Sequence, residues 1–493
     1  MKIKPEYLLG LFFALLLLTP DLSAKGRYLE GDWVSYTVLR YITSIAIDFD
    51  HVYFGTTGGV SRYNKNLREW ESPFTTSDGL LDNQVNRVAY DPEKDEIWFD
   101  TRSGVCMYKP IFRNWYIGGD FPENFLQNEK AGTALPVFFM DFGYHFYSEG
   151  YITDMYLNRY TITAHYLDEW GDLWLGTWGL NAGLGSVRSL DLQMFKFGLY
   201  DSDVNAVCLD KGVIWVGGRG IYAESQGITK FTRGENLWDY FEAGHINGLV
   251  TNRVNVIEAD SQYVWFGTEE GLIRYNKKKD LWRTYNTFSG LRDNWVSALK
   301  SDEEVLWIGT ESGLNFYWME KDTLGYFRNN LVDNVYISAI ETDSQWVWVG
   351  TEWGVVRMNK SSGDWSRFST PHGILNSPVR SITRYKDVIW FGTDAGILSY
   401  NTSNQEIKAY PARVNFPGTG INKILCDGRN IWVATPQGVW KMKLESEVWR
   451  LFDQEDGLLD DNVQDMVLDG NYIWFGTPEG LTRFYWNSPY RID

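Results

Sequence analysis

Cysteine and histidine are scarce in this chain: three of one and five of the other in 493 residues. Three cysteines in a chain of this length make no disulfide framework. Cys208 in NAVCLD and Cys426 in NKILCDG fall at one place in two distant repeats, and Cys106 follows a turn, so all three read as buried free thiols. The histidines stand at no metal-ligand spacing, so a metal site has no support and none is expected. Basic residues are also short, 46 Lys and Arg against 64 Asp and Glu, a formal charge of -18. A surface of that sign repels nucleic acid and anionic lipid alike. No G-x-S-x-G elbow and no phosphate-cradling loop occurs, so no cofactor is expected. With 44% apolar and 22% charged residues, intrinsic disorder is excluded as well.

Long hydrophobic runs are missing too, apart from Leu8 to Leu18. Eleven residues are too few to cross a bilayer as a helix. Lys2 and Lys4 precede the run, and Thr19-Pro20 and Ser23-Ala24 follow it. Residues 1–24 therefore read as a cleaved secretory signal peptide, which predicts a periplasmic or extracellular protein with no membrane span once it is removed.

What the chain has in excess is tryptophan, 24 residues, and a repeated phrase. HVYFGTTGGV, EIWFDTRSGV, LWLGTWGL, IWVGGRGI, VWFGTEEGL, LWIGTESGL, VWVGTEWGV, IWFGTDAGI, IWVATPQGV and IWFGTPEGL recur along it. From Trp265 to Trp474 the phrase aromatics stand 41 or 42 residues apart. Each unit reads as four short strands parted by turn residues, and the second strand is apolar at nearly every position, as in a sheet covered on both faces. Units of this length that bury one another describe an all-β fold, a β-propeller of four-stranded blades. The last phrase lacks an outer strand, and Trp33 and Tyr36 in GDWVSYTV supply one. The expectation is a single ring of about ten blades over residues 25–493, closed by the N-terminal strand, with two smaller rings as the alternative. Residues 122–160 lie in the one long interval, between Trp98 and Trp174. They read as an insertion in preference to a degenerate eleventh blade.

The unit from Val264 to Tyr285, VWFGTEEGL followed by IRY and LWRTY, resembles the two-component regulator propeller repeat. The resemblance covers at least eight contiguous units from about residue 160 and two before them. It implies an exported ligand-sensing part of a bacterial membrane receptor. The kinase portion that such receptors carry is not in this sequence, so the chain is expected to sense or bind without signalling output of its own. A membrane sensor kinase is the partner the resemblance implies.

In a propeller, the turn between second and third strands and the loop joining blades lie on one face, around the central channel. Sixteen tryptophans belong to the phrase or to the outer strand, so only the other eight need explaining. Trp178 and Trp353 fall in the turns and Trp295 in a blade-joining loop. An exposed tryptophan is costly unless it stacks on something. Arg102, Arg219, Glu269, Glu311, Glu352 and Asp394 occupy the same turns. These nine are the candidate ligand-binding residues. A small molecule, a glycan or a partner protein would suit aromatic faces beside carboxylate acceptors. No catalytic residue is expected. A polysaccharide lyase or glycoside hydrolase, with two carboxylates across the channel, is the alternative, and an interaction scaffold is another.

Overall fold

The computed structural model describes residues 28–126, 135–141, 143–168, 170–220, 227–370, 373–412, 420–489 and 491. Residues 1–24, the segment expected to be a signal peptide, lie outside them. The fold is all-β, and the described residues form ten sheets, antiparallel apart from the parallel pairing of Phe139–Met140 with Asp191–Met194. In chain order these are blade 1 (residues 42–74), blade 2 (85–117), blade 3 (159–194), blade 4 (206–241) and blade 5 (254–285), then blade 6 (296–326), blade 7 (337–368), blade 8 (379–411), blade 9 (423–452) and blade 10 (465–484). Blade 10 is completed by Trp33–Tyr36, which pairs with Gly480–Phe484 in the register Trp33 to Phe484 and Tyr36 to Leu481. Closure by the N-terminal strand is thus as expected.

The repeated phrase explains its own geometry. In the second strand Tyr263–Thr268 every residue after Tyr263 is buried, because one face packs on the previous blade and the other on the next. Thr268 then donates its hydroxyl to the Gly271 carbonyl at 2.7 Å and clamps the tight turn, where Gly271 has φ 131°. Thr310, Thr351, Thr393, Thr435 and Thr477 repeat that bond. The glycine before the threonine has a different task. A Cβ on Gly267 would stand 2.7 Å from Val296 of the next blade, so the glycine permits the blades to approach.

That contact fixes which blades are neighbours, and it corrects the single ring of ten. Blades 4 to 10 follow one another, and Gly476 of blade 10 then meets Val204 and Val207 at the start of blade 4, not blade 1. Asp465 of blade 10 accepts the Val207 backbone N–H at 2.9 Å. Seven hydrophobic clusters, one at each interface, close the circle. The ring has seven blades. Blades 3, 1 and 2 form a separate arc in that order: Gly176 of blade 3 packs on Ile42, and Gly55 of blade 1 on Val88. Thr163 and Thr43 repeat the sense of these contacts, donating to the Ile42 and Val85 carbonyls at 2.6 and 2.7 Å.

The arc stops for a physical reason. At the glycine position blade 2 carries Asp100, bonded to Arg87 at 2.8 Å, and Phe121 stacks on that guanidinium. A charged side chain there leaves no room for a following blade. At the other end, residues 122–160 add Phe139–Met140, His145–Tyr147 and Tyr151–Thr153 to blade 3, making one seven-stranded sheet. Phe138, Phe146 and Ile152 pack with Leu173 and Leu175 of blade 3. All three cysteines are free and buried.

Closure makes a prediction. Trp33 stacks on Phe484 at 3.9 Å between centroids and is 4% exposed. Trp33→Ala should lower unfolding stability by about 3–5 kcal/mol. Trp353→Ala, at a side chain 68% exposed, should change it by less than about 0.5 kcal/mol. Equal shifts in denaturant midpoint for the two variants would contradict the closing role.

Candidate functional site

The ring encloses a cavity of about 630 Å³ at the mouth of its channel. Its wall is set by the first strands, whose second residue faces the axis and ties to the next blade. Asn205 and Asn255 donate to the Val254 and Val296 carbonyls at 3.2 and 3.1 Å, and Asn422 donates to that of Val463 at 2.8 Å. Ser297 and Ser338 do the same with Ile337 and Val379, both at 2.5 Å. The result is a polar collar made of short side chains.

Three larger groups stand above the collar: Arg219, Tyr336 and Arg380. Arg219 extends from the turn of blade 4 and donates from Nε to Asn255 at 3.3 Å. Arg380 forms a two-pronged pair with Asp394, both contacts 2.8 Å. Burial raises the Tyr336 phenol above its ordinary range, while Arg219 and Arg380 pull it the other way. Asp203, also in the wall, accepts from Gln464 Nε2 at 2.7 Å.

Further along the first strands lies a belt of charges. Lys300 pairs with Glu341 and Lys423 with Asp465, each at 3.0 Å. Glu258 takes the Ser301 N–H at 3.0 Å, and burial raises its carboxyl, with Lys300 opposing. The Asp465 charge holds Lys423 firmly protonated despite its burial. Among the described residues no group of three or more His, Cys, Asp or Glu is placed to hold a metal ion.

The nine sequence candidates divide between two places. Arg219 lines the cavity. Asp394 reaches it through Arg380, and Glu311 and Glu352 act electrostatically on Tyr336 and Arg380. Glu269 is paired with Arg253 at 3.2 Å. Trp295 is half-buried and Trp353 is exposed, and neither lines the cavity. Arg102 and Trp178 belong to the arc: Arg102 pairs with Asp82 at 3.0 Å, and Trp178 rests on Tyr41 with centroids 5.2 Å apart. The arc therefore removes two candidates from the channel.

Tyr336 and Arg380 escaped sequence reading. One signal was present: blade 7 has an extra residue between Asn334 and Ile337, where other blades have one between the loop asparagine and the strand. The loop asparagines of other blades satisfy local backbone. Asn83, Asn252 and Asn294 accept the backbone N–H of Thr76, Ala243 and Thr287 at 2.8, 2.6 and 2.9 Å. In the loop before blade 10 Asp461 takes this role at 2.9 Å, which releases Asn462 to the cavity wall.

Three solved structures are similar to this chain. The extracellular domain of BT4673, described as a hybrid two component system from B. thetaiotaomicron, is 17% identical over 92% of this chain and 71% of that one, with a TM-score of 0.50. That of BT3049, described likewise and from the same organism, is 18% identical over 90% and 81%, TM-score 0.50. PorZ, a surface component of the type-IX secretion system of Porphyromonas gingivalis, is 15% identical over 90% and 68%, TM-score 0.50. No family model matches the chain, and no curated protein matches it. At these identities the likeness establishes the propeller fold.

Beside the cavity, the two crossings between ring and arc (residues 37–41 and 195–204) hold Asp201, whose carboxyl is pushed up to about 7 by burial, against the opposing backbone N–H of Asp203 and the charge of Arg40. The folded chain binds this proton more tightly than the unfolded one. Its contribution to stability is therefore full below about pH 4 and is lost as pH rises to about 7. Asp201→Asn should flatten that decline, so the variant gains on the parent at pH 8 relative to pH 4 in denaturant melts. An unchanged difference between the two pH values would refute the assignment.

Proposed function

We propose that the protein is an exported, non-catalytic propeller that binds a small polar ligand at the channel mouth of its seven-blade ring. The ligand class we assign is a sugar bearing a carboxylate, such as a uronate. The observation that carries this reading is the convergence of Arg219, Tyr336 and Arg380 on one polar cavity in a chain of charge -18. Guanidinium groups offer paired donors to a carboxylate, and the asparagine and serine collar suits hydroxyls. The structural neighbours include extracellular domains of proteins described as hybrid two component systems, which favours a sensing role and a membrane sensor kinase as partner. No helix among the described residues is long and apolar enough to cross a membrane.

Two other readings each have an observation behind them. A polysaccharide lyase or hydrolase would use a raised carboxyl near the axis, and Glu258 is one. It stands outside the cavity wall and faces Lys300 and Lys423, so binding is favoured over turnover. A protein-contact role is favoured by exposed apolar side chains on the arc, among them Ile117, Phe139, Leu157 and Trp170.

Calorimetric titration with oligogalacturonate tests the proposal. Arg219→Ala or Arg380→Ala should weaken binding about 10-fold or more, the worth of a charge-assisted hydrogen bond. The neutral galactose oligomer should bind no more than weakly. Equal affinity for the two oligomers, or cleavage of either, would overturn the reading.

A further inference from the structure

A second cavity, of about 240 Å³, lies where the ring meets the arc. Its two sides are copies of one arrangement. On the arc side, Asp78-Gly79 in the loop before blade 2 packs on Trp115 of that blade's outer strand. On the ring side, Asp456-Gly457 in the loop before blade 10 packs on Trp33 of its outer strand. The loops share the sequence DGLLD. A Cβ on Gly79 would stand 2.7 Å from Trp115, and one on Gly457 would stand 2.6 Å from Trp33, so each indole lies flat against its loop. Phe74 and Tyr108 add further aromatic wall.

The charges in this cavity do not balance. Asp456 is met by Arg450 at 3.2 Å and by the Tyr28 hydroxyl at 2.7 Å. Glu30, on the exposed rim, pairs with Arg113 at 3.1 Å. Asp78 has only the Thr75 backbone N–H and hydroxyl, at 2.9 and 3.1 Å, and no ion-pair partner among the described residues. Burial pushes its carboxyl up to about 6. Arg62, the cation that acts on Asp78 through space, is itself paired with Glu71 at 3.5 Å. A buried carboxylate with no ion-pair partner of its own among the described residues, beside the rings of Phe74, Tyr108 and Trp115, is the chemistry that recognises an organic ammonium ion.

We infer that this cavity binds a small alkylammonium ion, with its charge beside Asp78 and its carbon body against Trp33 and Trp115. The site is independent of the channel reading. It is composed of ring and arc residues together, so an occupant would also bridge the two bodies.

Titration of the full chain with n-pentylammonium, and with 1-pentanol as the neutral counterpart, tests the inference. One saturable site is expected for the ammonium ion, with the alcohol at least about 10-fold weaker. Asp78→Asn should weaken the ammonium ion about 10-fold or more while keeping the parent's melting temperature within a few degrees. Trp115→Leu, at a half-buried side chain, should weaken it as well and serves if Asp78→Asn fails to fold. Lack of binding to the parent, equal binding of the alcohol, or unchanged affinity in the variants (diffuse attraction to an acidic surface) would each overturn it.

Discussion

A blade of this protein cannot stand alone, because its second strand is apolar on both faces and needs a neighbour on each. The structure meets that constraint twice, in different ways. In the ring, seven blades cover one another and no face is left over. In the arc, three blades leave two ends, and each end has its own remedy. Blade 2 ends on a charge, the Asp100 and Arg87 pair, where other blades have a glycine or, at Ala434 in blade 9, a methyl. Blade 3 ends under strands contributed by residues 139–153. An uncovered sheet face with neither device would be an aggregation site.

The same phrase also carries an internal clamp. Asp260, Asp343, Asp427 and Asp469 stand five residues before the phrase tryptophan, and each accepts the indole N–H, at 2.7, 2.7, 2.8 and 3.2 Å. The first three also cap the turn between first and second strands through backbone N–H groups. Blades 4 and 6 use the aspartate otherwise. Asp210 is paired with Lys277 of blade 5 and Asp302 with Lys360 of blade 7, each at 2.5 Å. Trp215 and Trp307 keep indole N–H groups without partners. An unsatisfied buried donor costs about 1–3 kcal/mol. These blades therefore exchange a bond within the blade for an ion pair across the interface.

Strand number, blade number and closing strand were legible in the sequence because each depends on a short local pattern. Ring membership was not. It depends on which glycine faces which valine across an interface, and evenly spaced phrases look the same in a ring of ten and in a ring of seven with an arc of three. The departure at Asp100 was visible, but its meaning required knowing that the glycine it replaces faces the next blade. The site was legible in the same partial way. Arg219, Glu311, Glu352 and Asp394 were found from turn topology, which places them near the mouth. Trp178, Trp295 and Trp353 draw notice because an exposed tryptophan suggests stacking, and none of them lines the cavity. The collar has no signature of its own in the sequence, because Asn255 and Ser297 are ordinary polar residues within strands and Asn205 stands just before one.

Charge placement gives the channel its character. Lysines this deep in a propeller are tolerable only when paired, and Lys300 and Lys423 each have a carboxylate at 3.0 Å. Paired in this way, they add little net field at the mouth. Asp394 likewise offsets Arg380 at 2.8 Å. Arg219 makes its side-chain bond to a neutral amide, Asn255. Arg219 is therefore the cation of this wall that no carboxylate side chain pairs among the described residues, and Asp203 stands in the same wall, accepting from the neutral Gln464 amide. An anionic group reaching this cavity from an acidic surface would find its best electrostatic partner in Arg219.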